Sequence, residues 1–222
     1  IGLGDVVADY ERMLGRYWIR SQMMHFLWKP SPNLWRPTIE SLCGMEKKSN
    51  SLQSDATSDA CTSPFLSVPY IGMHIRFTDN ILDLLVDFGR DASITRNVSN
   101  FMHHADLIRR QANRTTTAEV HTIFVATDNS AVIMKLQKAP SQYNDWVFVY
   151  QTSVVRSERR GSVWFADTRE HAGPSFVGDV EMLRRADYLI GSFQSNVYRM
   201  ACELNTAYHY QNYSWREQRH RT

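Results

Sequence analysis

The chain has 222 residues, enough for one large domain or one and a half small ones, and its 43% hydrophobic share suits a packed core and excludes a disordered chain. Lys and Arg number 25 against 23 Asp and Glu, and a formal charge of +2 excludes bulk electrostatic attraction to nucleic acid or to a membrane surface, so any anion must be bound locally. No apolar run approaches the roughly 20 residues that span a bilayer.

The opening at Ile1, with neither an initiator Met nor a signal-peptide pattern, predicts a trimmed or incomplete N-terminus. Residues 5–28 carry Met, Leu, Trp and Tyr at helical spacing, and Pro30 and Pro32 interrupt the pattern. A second helix is predicted over Trp35–Leu42. Gly44–Ala60 is rich in Ser, Asp and Lys and reads as an inserted polar loop bracketed by Cys43 and Cys61. Those two cysteines are either free thiols or a disulfide closing the loop, which the chain-entropy model values at about 3 kcal/mol. With Cys202 the chain has no C-x-x-C spacing, so neither a zinc knuckle nor a thioredoxin-type site is predicted. Acceptor sequons stand at Asn97-Val-Ser, Asn113-Arg-Thr and Asn212-Tyr-Ser.

From residue 68 the character changes. Val68–Phe77 reads as a buried strand, Asn100–Ala112 as a helix, Val120–Thr127 as a second strand, Ser130–Lys138 as a short helix and Trp146–Tyr150 as a third strand. An Arg and Ser-rich connection leads to a helix over Phe176–Ala186, a short strand at Tyr188–Gly191 and a helix over Ser195–Leu204. Alternating strands and helices predict a parallel sheet covered on both faces, with ligands gathered beyond the carboxyl ends of its strands.

At those ends lie three abrupt changes to polarity: His74-Ile-Arg76-Phe-Thr-Asp79, Ala126-Thr-Asp128-Asn129 and Gly191-Ser-Phe-Gln-Ser195-Asn196. Strand alternation puts Tyr70, Gly72, His74 and Arg76 on one face, so His74 and Arg76 can meet one ligand. The Arg76 fork suits pyrophosphate oxygens, and the amides and hydroxyls opening a helix near Ser195 suit the same anion; a salt bridge to Asp79 or Asp128 is the structural alternative for Arg76. Taken alone, Asp179 reads as a solvated helical carboxylate, His74 is either a satisfied buried imidazole or a ligand-binding one, and Asp128 also fits a helix N-cap.

These residues resemble the core α-1,6-fucosyltransferases of N-glycans, with rhizobial nodulation fucosyltransferases and protein O-fucosyltransferases as more distant relatives. The family pattern H-V-R-R-T-D-K, A-T-D-D, a distal aspartate and F-S-S-Q-V is met in order by His74-Ile-Arg76-Phe77-Thr78-Asp79-Asn80, Ala126-Thr127-Asp128-Asn129, Asp179 and Phe193-Gln194-Ser195-Asn196-Val197. The segment from Trp18 to Trp35 is similar to the family's Trp-rich helix and the turn after it, so the resemblance covers most of residues 10–205. It implies an α/β fold in which a Rossmann-like parallel sheet forms the C-terminal, donor-binding half of a GT-B glycosyltransferase. Residues 1–66 would be a helical N-terminal segment with the loop 44–60 inserted, 67–210 the GDP-fucose-binding domain and 211–222 a polar tail.

Carried over residue by residue, the resemblance implies that His74 and Asp179 recognise guanine, Arg76 and Ser195 hold the β-phosphate, Asp128 orders the pocket, and Asn196 belongs to the same donor set. The sequence holds no Asp-x-Asp pair of the kind a metal-dependent sugar-nucleotide site uses, and the resemblance likewise implies inverting transfer without metal or other cofactor. The catalytic candidates are Arg76, Asp79 and Asp83. Phe77 and Asn80 replace a family arginine and lysine, Asn129 replaces the second carboxylate of A-T-D-D, and Leu84 falls where a general base would lie, which leaves Asp83 and Asp87 as the nearest substitutes. Gly191 and Tyr198 take the places of a family disulfide spanning the F-S-S-Q-V motif, a loss expected to weaken bracing of the phosphate loop.

The expected function is fucose transfer from GDP-fucose to the core N-acetylglucosamine of an N-glycan or to a related acceptor; the alternative is a catalytically impaired homologue that binds a nucleotide, a glycan or a protein. The expected partners are GDP-fucose and a glycan or glycoprotein acceptor, with no nucleic acid, membrane contact only through a segment outside this chain, and a homodimer compatible with the reading. The expected location is the Golgi or another secretory lumen. A dinucleotide oxidoreductase is disfavoured because no G-x-G-x-x-G follows a predicted strand, and a kinase because G-x-x-x-x-G-K-[S/T] is missing.

Overall fold

Four short apolar runs form a parallel sheet in the computed structural model, which describes residues 16–43, 46–48, 66, 68–76, 97–115, 119–138, 143–151, 166–193 and 195–219. In chain order the elements are helices α1 (Arg16–Leu27) and α2 (Pro32–Cys43), strands β1 (Glu46–Lys48) and β2 (Tyr70–Ile75), α3 (Val98–Thr115), β3 (Thr122–Thr127), α4 (Ser130–Gln137), β4 (Val147–Tyr150), α5 (Ala166–Arg185), β5 (Tyr188–Gly191) and α6 (Asn196–Arg219). The sheet order is β1-β4-β3-β2-β5, with β1 antiparallel to β4 and the other four strands parallel. From β2 the chain moves outward through β3 to β4, then returns through α5 to place β5 on the other side of β2. Neighbouring parallel strands whose connections leave in opposite directions make a topological switch, here between β2 and β5, and such a switch opens a crevice at the carboxyl edge. This is a Rossmann-like α/β arrangement.

Side-chain alternation divides the core. Ile71, Met73, Ile75, Ile123, Val125, Phe148 and Tyr150 pack under α3 and α4 with Met102, Ala105, Val132 and Leu136. Tyr70, Phe124, Ala126 and Val149 face the other way, onto Leu42 of α2, Met182, Leu183 and Ala186 of α5 and Ala201 of α6. The α5 C-terminus is closed by Asn205 of α6, whose side-chain amide donates to the carbonyls of Arg184 and Ala186 at 3.0 and 2.7 Å. Asp187 just beyond it exchanges bonds with Tyr70, accepting from its backbone N–H at 2.9 Å and donating to its carbonyl at 3.1 Å, which ties the end of α5 to the start of β2. The two N-terminal helices lie on this same side, α1 against α6 and α2 against α5.

Several boundaries differ from the sequence expectation. Helix α2 begins at Pro32, in a first turn where the missing N–H costs nothing, with the Ser31 carbonyl accepting from Leu34 and Trp35. Residues 46–48, expected within a polar loop, instead form the edge strand β1; three charged residues carry no alternation from which a strand can be read. Helix α5 starts ten residues earlier than expected, and Pro174 sits inside it. There the Pro174 carbonyl accepts from the buried Thr38 hydroxyl of α2 at 3.2 Å, so a tertiary contact supports a stretch that local propensity reads as a break. Helix α6 runs on to Arg219, through residues expected as a polar tail. The first 15 residues, Cys61 and the remainder of the 44–60 loop lie outside the described residues, as does the side chain of Cys43; Cys202 is a buried free thiol.

Candidate functional site

The register of the parallel strands determines which polar residues meet. His74 pairs with Ala126 of β3 on one side and with Gly191 of β5 on the other, and Ile75 pairs with Thr127. One step further along the two strands, Arg76 and Asp128 therefore leave the sheet at the same level. Both act electrostatically on the His74 ring. Burial depresses the imidazole to about 4, the nearby Asp128 carboxylate opposing this shift and the Arg76 guanidinium adding to it. His74 is thus neutral at physiological pH. It is 7% exposed, and among the described residues its Nδ1 has no hydrogen-bond partner, an uncommon condition for a buried nitrogen.

Beyond β5, Ser192 and Ser195 lead into α6. The Ser195 N–H donates to the Ser192 carbonyl at 2.9 Å, and the buried Ser195 hydroxyl accepts from the Tyr198 N–H at 3.4 Å. Ser195 is the cap of α6, placed where a helix N-terminus meets the switch crevice. Asn196 is exposed, and its side-chain oxygen accepts from Arg199 on the outside of the same helix. The cap of α4 is Asn129, not Asp128: its side-chain oxygen accepts from Ala131 N–H at 2.8 Å. The amide that replaces a family carboxylate therefore has a structural task of its own.

Gly191 and Tyr198 are in direct contact. A Cβ at Gly191 would run into the Tyr198 ring, whose Cγ would lie only 2.7 Å away. The ring is buried, meets Phe193 edge to face at 5.3 Å and lies 6.4 Å from the His74 ring at an interplanar angle of 28°. The expectation that this loop is weakly braced needs amendment: a tyrosine filling the space above a glycine joins its two ends by packing.

Asp179 is carried on α5, on the side of the sheet that His74 also faces. Its Oδ1 accepts from Nε2 of Gln151 at 2.6 Å, and Gln151 is the residue directly after β4. Since Phe124 pairs with Val149, Gln151 is level with Ala126, the neighbour of His74. His74 and Gln151 thus flank the small Ala126 side chain across two strand spacings, roughly 10 Å at the backbone. Gln151 is not among the residues expected at the site, although it is the first polar residue after an apolar strand, as Asp128 is. Asp79, Asp83 and Asp87, with Phe77, Asn80 and Leu84, lie outside the described residues. Among the described residues no group of three or more His, Cys, Asp or Glu is arranged to hold a metal ion, and no helix is long and apolar enough to cross a membrane.

Compared with known protein families, residues 17–216, most of the chain, match the family model described as alpha-(1,6)-fucosyltransferase N- and catalytic domains.

Proposed function

The chain belongs to the alpha-(1,6)-fucosyltransferase family, and from that premise we propose that it binds GDP-fucose at the carboxyl edge of its sheet and belongs to a metal-independent, inverting transferase acting on the core N-acetylglucosamine of an N-glycan or a related acceptor. What supports this reading is the register that brings Arg76 and Asp128 out of the sheet at one level beside His74, with Ser195 capping the helix that follows β5 and Asp179 on the side of the sheet that His74 faces. Family membership supports a nucleotide-sugar donor and a glycan acceptor in general, and the residues at the sheet edge support the particular donor.

In this reading the acceptor hydroxyl attacks the anomeric carbon of fucose as the bond to the β-phosphate breaks. Charge then develops on the departing GDP. Arg76 and the N-terminus of α6 at Ser195 stabilise it, while the guanine lies between His74 and Asp179. His74 stays neutral, so it hydrogen-bonds the donor without adding charge. The hydroxyl proton needs a base, for which Asp83 and Asp87 are the nearest candidates. Phe77, Asn80 and Leu84 replace residues associated with transfer in the family, and this favours donor binding outlasting catalysis, with a nucleotide-, glycan- or protein-binding role as the second reading. A secretory-lumen location, in the Golgi, accords with the family and with exposed sequon asparagines at Asn97 and Asn113.

Calorimetry with GDP, GDP-fucose and GDP-mannose tests the donor. GDP is expected to bind, and Arg76→Ala to weaken it by about 2 kcal/mol, the scale of a charge-assisted phosphate contact, with Lys restoring only part. Equal affinities for wild type and Arg76→Ala would remove the phosphate role. Transfer of radiolabelled fucose to a core glycan, run with and without a chelator, separates an active metal-independent enzyme from a binding module.

A further inference from the structure

We infer that Gln151 is a positioning residue that sets the Asp179 carboxylate for reading a purine base, an inference resting on the proposed role of Asp179. The Gln151 side chain is wholly buried where β4 ends against α5. Its Nε2 has two protons, and both are directed at one turn of that helix: one to the Ser175 carbonyl at 2.8 Å, the other to Asp179 Oδ1 at 2.6 Å. Residues 175 and 179 are four apart and share a face, so a single amide joins the carboxylate to its own helix one turn back.

The amide is itself immobilised. Gly178 passes directly over it, and a Cβ there would come within 3.0 Å of Oε1, 3.1 Å of Nε2 and 3.2 Å of Leu42 Cδ2. Helix, amide and carboxylate are consequently one packed unit in which Asp179 has little freedom to turn. Toward this neutral amide donor Asp179 is an acceptor, the form that matches the adjacent N1–H and 2-amino donors of guanine. Hypoxanthine lacks the 2-amino group and would make one fewer bond. Gln151 thereby acts on base selectivity through Asp179, without touching the ligand.

The test is binding of GDP and IDP by wild type, Gln151→Glu and Gln151→Ala, each checked for wild-type near-UV circular dichroism. In Gln151→Glu two carboxyl groups face each other at hydrogen-bond distance. At low pH they share a proton that replaces the amide bond; as pH rises the proton leaves and two anions repel. GDP affinity of this variant, relative to wild type at the same pH, is expected to fall about tenfold between pH 5 and 8. In Gln151→Ala the preference for GDP over IDP is expected to shrink toward unity; Gln151→Asn, a shorter neutral amide, replaces it if the cavity left by alanine prevents folding. A Gln151→Glu profile parallel to wild type, or an unchanged GDP-over-IDP preference in the alanine or asparagine variant, overturns the inference alone. Failure of wild type to bind GDP, or to prefer it over IDP, overturns the reading of Asp179 and the inference together.

Discussion

His74 illustrates how one side chain can lower acid stability while serving a ligand. Its imidazole is buried between small neighbours and titrates at about 4 in the folded chain, against 6.5 when unfolded. Between these values the unfolded state binds the extra proton, so stability contributed by the neutral ring is full above pH 6.5 and lost as pH falls toward 4. The loss amounts to about 3 kcal/mol by that linkage. Burial of His25 acts with the same sign. Urea titrations at pH 7 and pH 4.5 are expected to show a smaller acid loss in His74→Gln than in wild type. Identical losses would mean that His74 is not held neutral. The residue types at the edge were legible in the sequence because charged groups rarely end apolar strands without reason; their partners were not, since Gln151 and Asp179 are joined by a contact between distant parts of the chain.

At the scale of elements, strands were the more legible. A buried strand shows itself as a short apolar run, and β2 to β5 fall within or beside the predicted runs. Helix ends were less so, because Gly173-Pro174 reads locally as a break while α2 packs against that stretch of α5. The turn between β5 and α6 depends on a similar long-range fit, Gly191 beneath Tyr198. Gly191→Ala forces a methyl into the ring and is expected to destabilise by about 2 kcal/mol, an overpacking cost. In a Tyr198→Ala background the same change meets space, and its cost is expected to drop well below 1 kcal/mol in a double-mutant cycle. Equal costs in the two backgrounds would show that the ring does not brace the turn.

For the whole molecule, the decisive junction is a buried carboxylate on α5, two residues beyond Asp179. Glu181 of α5, 2% exposed, accepts from Trp28 Nε1 at 2.5 Å, from Arg184 at 2.7 to 3.1 Å and from Arg185 at 3.3 Å. The Arg184 guanidinium lies 4.7 Å from the centroid of the Tyr208 ring on α6. One side chain thus ties the segment following α1 to α5 and, through arginine, to α6. Removing one partner of such a group leaves buried charge uncompensated. Glu181→Ala is expected to cost about 3 kcal/mol or more in denaturant unfolding, and Trp28→Phe, which deletes one bond to a charged acceptor, about 2 kcal/mol. A Glu181→Ala cost below 1 kcal/mol would contradict the role of this junction.

By itself the sequence determined the alternation of strand and helix, the family resemblance and the identity of the polar residues that end the strands. All three follow from local composition and order along the chain. The tertiary structure alone decided which strands are neighbours, and hence that Arg76 and Asp128 leave the sheet at one level and that Gly191 lies beside His74. It also decided that Asn129 rather than Asp128 caps α4, that Gln151 fixes Asp179, and that packing joins the ends of the loop before α6. The physical reason is that register, burial and hydrogen-bond pairing depend on groups brought together from distant positions, and none of these has a local signature.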